Sequence, residues 1–209
     1  MFRFGGKSAA RFACGRLVMT TQRNNELASA FPKAIRNDAL IALFEFPKIA
    51  HKWTFPVRVA GELVSIPGRV YCAQAALETT PLSDLQKELV DCLLTRHHNG
   101  FVRQKHLDRI IGSENIWIPP FVIQLIGEYV IEILQVIDQN LSNLNVSVYE
   151  EFIWWNPEFM ALTERRVTSY WNEYYRCPVS ARIVYKRQEY VGFRLLRFFK
   201  ALAKKGRAN

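Results

Sequence analysis

Pro120-Phe121-Val122-Ile123-Gln124-Leu125-Ile126-Gly127-Glu128-Tyr129-Val130-Ile131-Glu132-Ile133-Leu134-Gln135-Val136-Ile137-Asp138-Gln139-Asn140-Leu141 is the stretch on which the fold turns. Apolar residues recur around most of a helical wheel: Val122, Ile123, Leu125, Ile126, Val130, Ile131, Ile133, Leu134, Val136 and Ile137. The polar residues Gln124, Glu128, Glu132, Gln135 and Gln139 fall on one narrow stripe at i, i+4, i+8, i+11 and i+15. A helix that is apolar nearly all round is wrapped by others, so the spacing predicts one buried central helix over about 120–141. The apolar run from Ile116 to Ile137 approaches membrane length. Two acids near the bilayer centre would each cost about 2.5–3.5 kcal/mol, so no transmembrane segment is expected.

Shorter amphipathic segments surround that helix. Upstream, Leu82, Leu85, Leu89, Cys92 and Leu93 recur at 3–4 spacing behind Ser83, a candidate N-cap, and the run stops near His97-His98-Asn99-Gly100. A second helix is expected from Phe101 to Ile111, and Pro120 suits the first turn of the central one. The segment Asn99–Leu107 is similar to the second-helix signature of HEAT-type repeats, which implies antiparallel helix pairing; it occurs once, and no longer repeat extends from it. Downstream, a helix is expected from Pro157 to about Arg176, ended by Cys177-Pro178. A final one is expected from about Tyr190 to Lys205, with Val191, Leu195, Phe198, Phe199 and Leu202 on one face and Arg194, Arg197, Lys200 and Lys204 on the other.

Between prolines at 32 and 47 the pattern predicts only a short helix near Asn37–Phe44. Residues 54–72 change character. β-branched residues alternate with others about Gly61-Glu62, and a second extended run, Arg69–Cys72, follows Pro67-Gly68, which predicts a small β-hairpin. The fold class is therefore mainly α: a helical bundle around a buried central helix, with a hairpin at about 54–72.

The 209 residues are 49% hydrophobic and 13% aromatic, with 10 Gly, 9 Pro and 4 Cys. That is too apolar for a disordered chain and too poor in Gly and Pro for a fibrous one. Cys14, Cys72, Cys92 and Cys177 lie far apart and read as separate reduced thiols, which points to a cytoplasmic protein. The first 25 residues carry five arginines and lysines and no acid, and are read as a flexible basic tail, with Met19 an alternative start. An Arg-rich organellar targeting segment is the second reading. The remainder, 26–209, is read as one domain with a basic, aromatic-rich subregion over 149–209.

The formal net charge of +9 is unevenly spread. Residues 1–53 carry +6, 54–112 carry +1, 113–151 carry −6 and 152–209 carry +8. Two basic ends thus flank an acidic middle, and their excess must meet solvent or a partner. In the last segment Arg165, Arg166, Arg176, Arg182, Lys186, Arg187, Arg194, Arg197, Lys200 and Lys204 are interleaved with Tyr170, Trp171, Tyr174, Tyr175 and Tyr190. This composition suits an anionic macromolecule, either an acidic protein surface or nucleic acid of low sequence specificity. The first function expected is a non-enzymatic interaction or accessory protein using this face, and direct nucleic-acid binding is the alternative.

Catalytic signals are few. There is no Gly-x-Ser-x-Gly elbow, Walker loop or dinucleotide fingerprint, and no cofactor is expected. Cys92, His97, His98 and His106 have the spacing C-x4-H-H-x7-H, which matches no standard zinc motif, so no metal is expected. Glu128 and Glu132, one turn apart on a buried helix, could form a carboxylate pair of raised pKa, the third functional reading. The plainer reading makes Glu128, Glu132 and Arg103 a buried polar stripe, with Arg103 as the ion-pair partner.

Overall fold

The structure, a computed structural model, describes residues 22–45, 49–72, 81–176 and 184–205. A helical segment, α1, covers 22–28, and a 3-10 turn at Lys33–Ile35 leads into α2, Arg36–Glu45. Leu27, Ala28, Ala30 and Phe31 are buried, so the core begins close to where the basic tail was expected to end. Most of that tail, 1–21, lies outside the described residues.

Strands β1, Ala50–Val59, and β2, Glu62–Tyr71, pair antiparallel in one register from Ala50↔Tyr71 to Val59↔Glu62. The hairpin is thus longer than the pattern predicted and runs through Pro67-Gly68 without a break. Ala60 and Gly61 form its turn with φ of 50° and 76°, a pair of positive values that suits the right-handed twist of the strands. The face carrying Val57, Val59, Val64, Ile66 and Val70 is buried. On this same face the Trp53 ring fills the space that a Cβ on Gly68 would need.

Helix α3, Asp84–Leu94, starts at the predicted cap: Ser83 accepts from the Gln86 backbone N–H while the Gln86 side chain accepts from that of Ser83. Asn99 serves the next helix instead of ending this one. It caps α4, Gly100–Ile110, by accepting from the Phe101 N–H at 2.9 Å. Between the two helices the chain borders β2: the Val70 N–H donates to Arg96 O, and the His98 N–H to Val70 O.

The central element is not one helix. It divides into α5, Pro119–Ile126, and α6, Ile131–Gln139. All eight residues of α5 are buried, and it packs on α6 and on the three later helices α7, Val146–Trp155, α8, Pro157–Trp171, and α9, Val191–Lys205. Only α5 is buried all round, Gln124 included; α6 buries Ile133, Leu134, Val136 and Ile137 and leaves Glu132, Gln135 and Gln139 exposed. The break falls at Gly127-Glu128-Tyr129-Val130. A methyl group on Gly127 would stand 3.1 Å from Cβ of Arg166, so α8 crosses close against this point. With the chain turned here, Glu128 lies among three arginines.

Helix α7 had no counterpart in the sequence pattern. At the α7–α8 corner the Asn156 amide donates to O of Arg58 (2.8 Å) and of Phe152 (2.7 Å) and accepts from the Arg58 N–H (2.7 Å), fastening β1 to the helices. After α8 a π-helical turn, Asn172–Arg176, extends it to the predicted end, while Cys177-Pro178 lies outside the described residues.

Candidate functional site

Glu128 is 3% exposed and lies among guanidinium groups from three elements. Its Oε2 is 3.2 Å from Arg69 Nη2 on β2 and 3.6 Å from Arg103 Nη2 on α4, and its Oε1 is 3.2 Å from Arg96 Nη2 in the α3–α4 connection. Arg96 also donates to the Gly68 carbonyl at 3.0 Å, and Arg103 to the carbonyls of His97 and His98. Burial by itself would raise the Glu128 pKa, but Arg96, Arg69 and Arg103 outweigh it and hold the carboxyl below its ordinary value. Burial likewise draws Arg96 down from 12.5 to about 9, with Glu128 opposing and Arg69 and Arg103 reinforcing the fall; it is still protonated at neutral pH.

The expected Glu128–Arg103 contact is present. Glu132, by contrast, is exposed on α6 and takes no part in a buried stripe, because the helix break turns it away from Glu128. The carboxylate pair of raised pKa therefore does not form: Glu128 is a lone, ionised carboxylate sealed by cations. Arg69 and Arg96 were not anticipated. Arg96 was open to detection, since it continues the Leu89, Cys92, Leu93 spacing of the apolar face of α3. Arg69 carries no such signal, because only the approach of the α5–α6 break to β2 gives it a partner, Glu128.

His97 sits beside this cluster. Its Nε2 donates to the Cys72 carbonyl at 3.1 Å and its Nδ1 accepts from the Asn99 N–H at 3.1 Å, an arrangement that only the neutral ring satisfies. Burial lowers its pKa, and the Cys72 hydrogen bond opposes the shift. His98 stacks between His97 and Tyr71. His106 turns elsewhere, to Asp91 at 2.5 Å, which also accepts from Arg109. The four residues Cys92, His97, His98 and His106 do not gather. Among the described residues, no three His, Cys, Asp or Glu side chains stand where they could share a metal ion.

No family model, curated protein or solved structure matches this chain. Its chemistry must be read from its own side chains.

The basic residues of the C-terminal segment divide into groups. Arg194 donates from Nε to Asp138 Oδ1 at 2.5 Å, tying α9 to α6, and Lys200 pairs with Glu164 at 2.6 Å, tying it to α8. Arg176 lies 5.7 Å from the Trp171 ring, and Arg166 packs against Gly127. Arg165 and Lys186 are exposed. Arg187 lies 4.7 Å over the Phe193 ring, and Arg197 is exposed with no ion-pair partner among the described residues. Arg187, Arg197 and Lys200 meet with Glu164, Phe193 and Leu196 around one open cleft of about 320 Å³ between α8 and α9. Arg182 and the side chain of Lys204 lie outside the described residues. No helix among the described residues is long and apolar enough to cross a membrane.

Proposed function

We propose that this chain is a non-enzymatic interaction protein whose basic C-terminal face holds an acidic segment of a partner protein. The observation that carries the reading is the meeting of Arg187, Arg197 and Lys200 around the α8–α9 cleft. Glu164 satisfies Lys200, leaving two guanidiniums beside Phe193 and Leu196. Guanidinium forks match carboxylates in a bidentate way, and an apolar floor beside them suits an acidic segment that also carries an apolar residue. The test is fluorescence anisotropy with a labelled Asp/Glu-rich peptide containing one Phe. Arg187→Ala with Arg197→Ala should weaken binding about tenfold or more, equivalent to about 1.4 kcal/mol. Equal binding by wild type and the double variant removes the reading.

Direct nucleic-acid binding is supported by a different group. Tyr129, Tyr170 and Tyr174 cluster with ring centroids 5.5–6.0 Å apart, Tyr129 and Tyr174 are about half exposed, and Arg166 lies one turn before Tyr170. Exposed rings beside cations can stack bases and neutralise phosphates. A single-stranded oligonucleotide that binds more tightly than the peptide, with affinity falling steeply in salt and lost in Tyr174→Ala, would favour this second reading.

A further inference from the structure

The arginines around Glu128 are out of balance. Three guanidiniums face one carboxylate, which leaves two positive charges uncompensated in a cluster where Arg96 and Arg103 are 2% and 1% exposed. Among the described residues, no acid other than Glu128 forms an ion pair with them. Asp91 is engaged by His106 and Arg109, and Glu88 accepts from Asn115 and Trp117. The hydrogen bonding is short as well: Arg69 Nη1, Arg96 Nε and Arg103 Nε are all shut from solvent and have no acceptor. A buried charge without a partner costs several kcal/mol, and so does an N–H donor without an acceptor, though less. Three such donors on neighbouring guanidiniums have the chemistry to receive an anion with several acceptor oxygens.

We propose that Arg69, Arg96 and Arg103 form a binding site for a phosphate-class dianion, separate from the α8–α9 cleft. A dianion cancels the residual charge, where a single carboxylate would leave half of it. Its oxygens can each accept from more than one N–H, which suits three orphaned donors on three planar forks. The edge of the site is formed by Arg69, whose side chain is 21% exposed, and by Tyr129, which is 46% exposed and interacts with Arg103. The phosphate is either free or carried on a small ester, and the same three arginines read it in both cases.

The test is thermal unfolding of the full chain at about pH 8, where phosphate is dianionic, with sodium chloride holding ionic strength constant. Inorganic phosphate should raise Tm saturably in the wild type and equally in the Arg187→Ala, Arg197→Ala double variant. Arg69→Ala, which removes the least buried of the three, should weaken phosphate affinity about tenfold or more. Glu128→Gln removes the competing carboxylate, so its Tm should rise further with phosphate than that of the wild type. If that variant does not fold, phosphorus-31 line broadening of phosphate by wild type and by Arg69→Ala reads the same contrast. A nucleoside monophosphate acting at lower concentration than phosphate identifies an ester ligand; equal potency identifies the free ion. The proposal is overturned if chloride alone gives the same rise. It also fails if the phosphate effect survives Arg69→Ala and vanishes in the cleft double variant.

Discussion

Glu128 shows what one side chain can impose on its surroundings. Held ionised by three arginines, it has a pKa below its ordinary 4.5. The folded state therefore gives up this proton more readily than the unfolded chain, and the resulting stability is present above about pH 4.5 and lost as pH falls through the folded value. Glu128→Gln should remove that acid-sensitive component and destabilise the fold by about 3–5 kcal/mol, since it strands the cations; urea titrations at neutral and acid pH measure both. His97 gives a second pH dependence. Its folded pKa lies below the ordinary 6.5, so the unfolded chain takes up a proton first as pH falls. The stabilisation is full above about 6.5, shrinks below it and levels off under the folded pKa. The groups facing it are His98, the Cys72 carbonyl and Arg103. In His97→Gln the Tm should fall less between pH 6.5 and 5 than in the wild type; identical slopes would count against this account.

At the scale of elements, most of what is local could be read in the sequence and most of what is tertiary could not. The Ser83 cap, the proline at the start of α5, the hairpin and the amphipathic α9 each follow from neighbours a few residues apart. The split of the central helix does not. Gly127 to Val130 continues the helical periodicity, and one interior glycine is a weak signal. What breaks the helix is the pull of Arg69, Arg96 and Arg103 on Glu128 from 25 to 59 residues away, together with the crossing of α8 at Gly127. The misplacement of Glu132 in the buried stripe has the same origin. The candidate contact surface was legible as composition, but which of its cations meet was not, because Arg194 and Lys200 find acids on other helices. One element-level prediction follows from the α7–α8 corner. Asn156→Ala deletes three hydrogen bonds and leaves the polar backbone of Arg58 without its partner, so unfolding in urea should register a loss of about 1–3 kcal/mol.

Across the whole molecule, the acidic middle of the sequence offsets part of the basic end. Arg194–Asp138 spans the two, and Lys200–Glu164 pairs charges within the end itself. Among the described residues two groups of cations stand out: Arg187 and Arg197 at the open cleft, and Arg69, Arg96 and Arg103 in the buried cluster around Glu128. These differ in how salt should act on them: exposed cations are screened, buried ones far less. The same corner that anchors the hairpin also bears on the order of assembly. Asn156 fastens β1 across 98 positions of sequence, so the hairpin is synthesised long before the residue that seats it. A contact of that span is costly to close early, and it belongs among the last to form. Asn156→Ala should then hasten unfolding in stopped-flow experiments while leaving refolding nearly unchanged, which makes this asparagine a latch on the lifetime of the folded chain rather than on the speed of its formation.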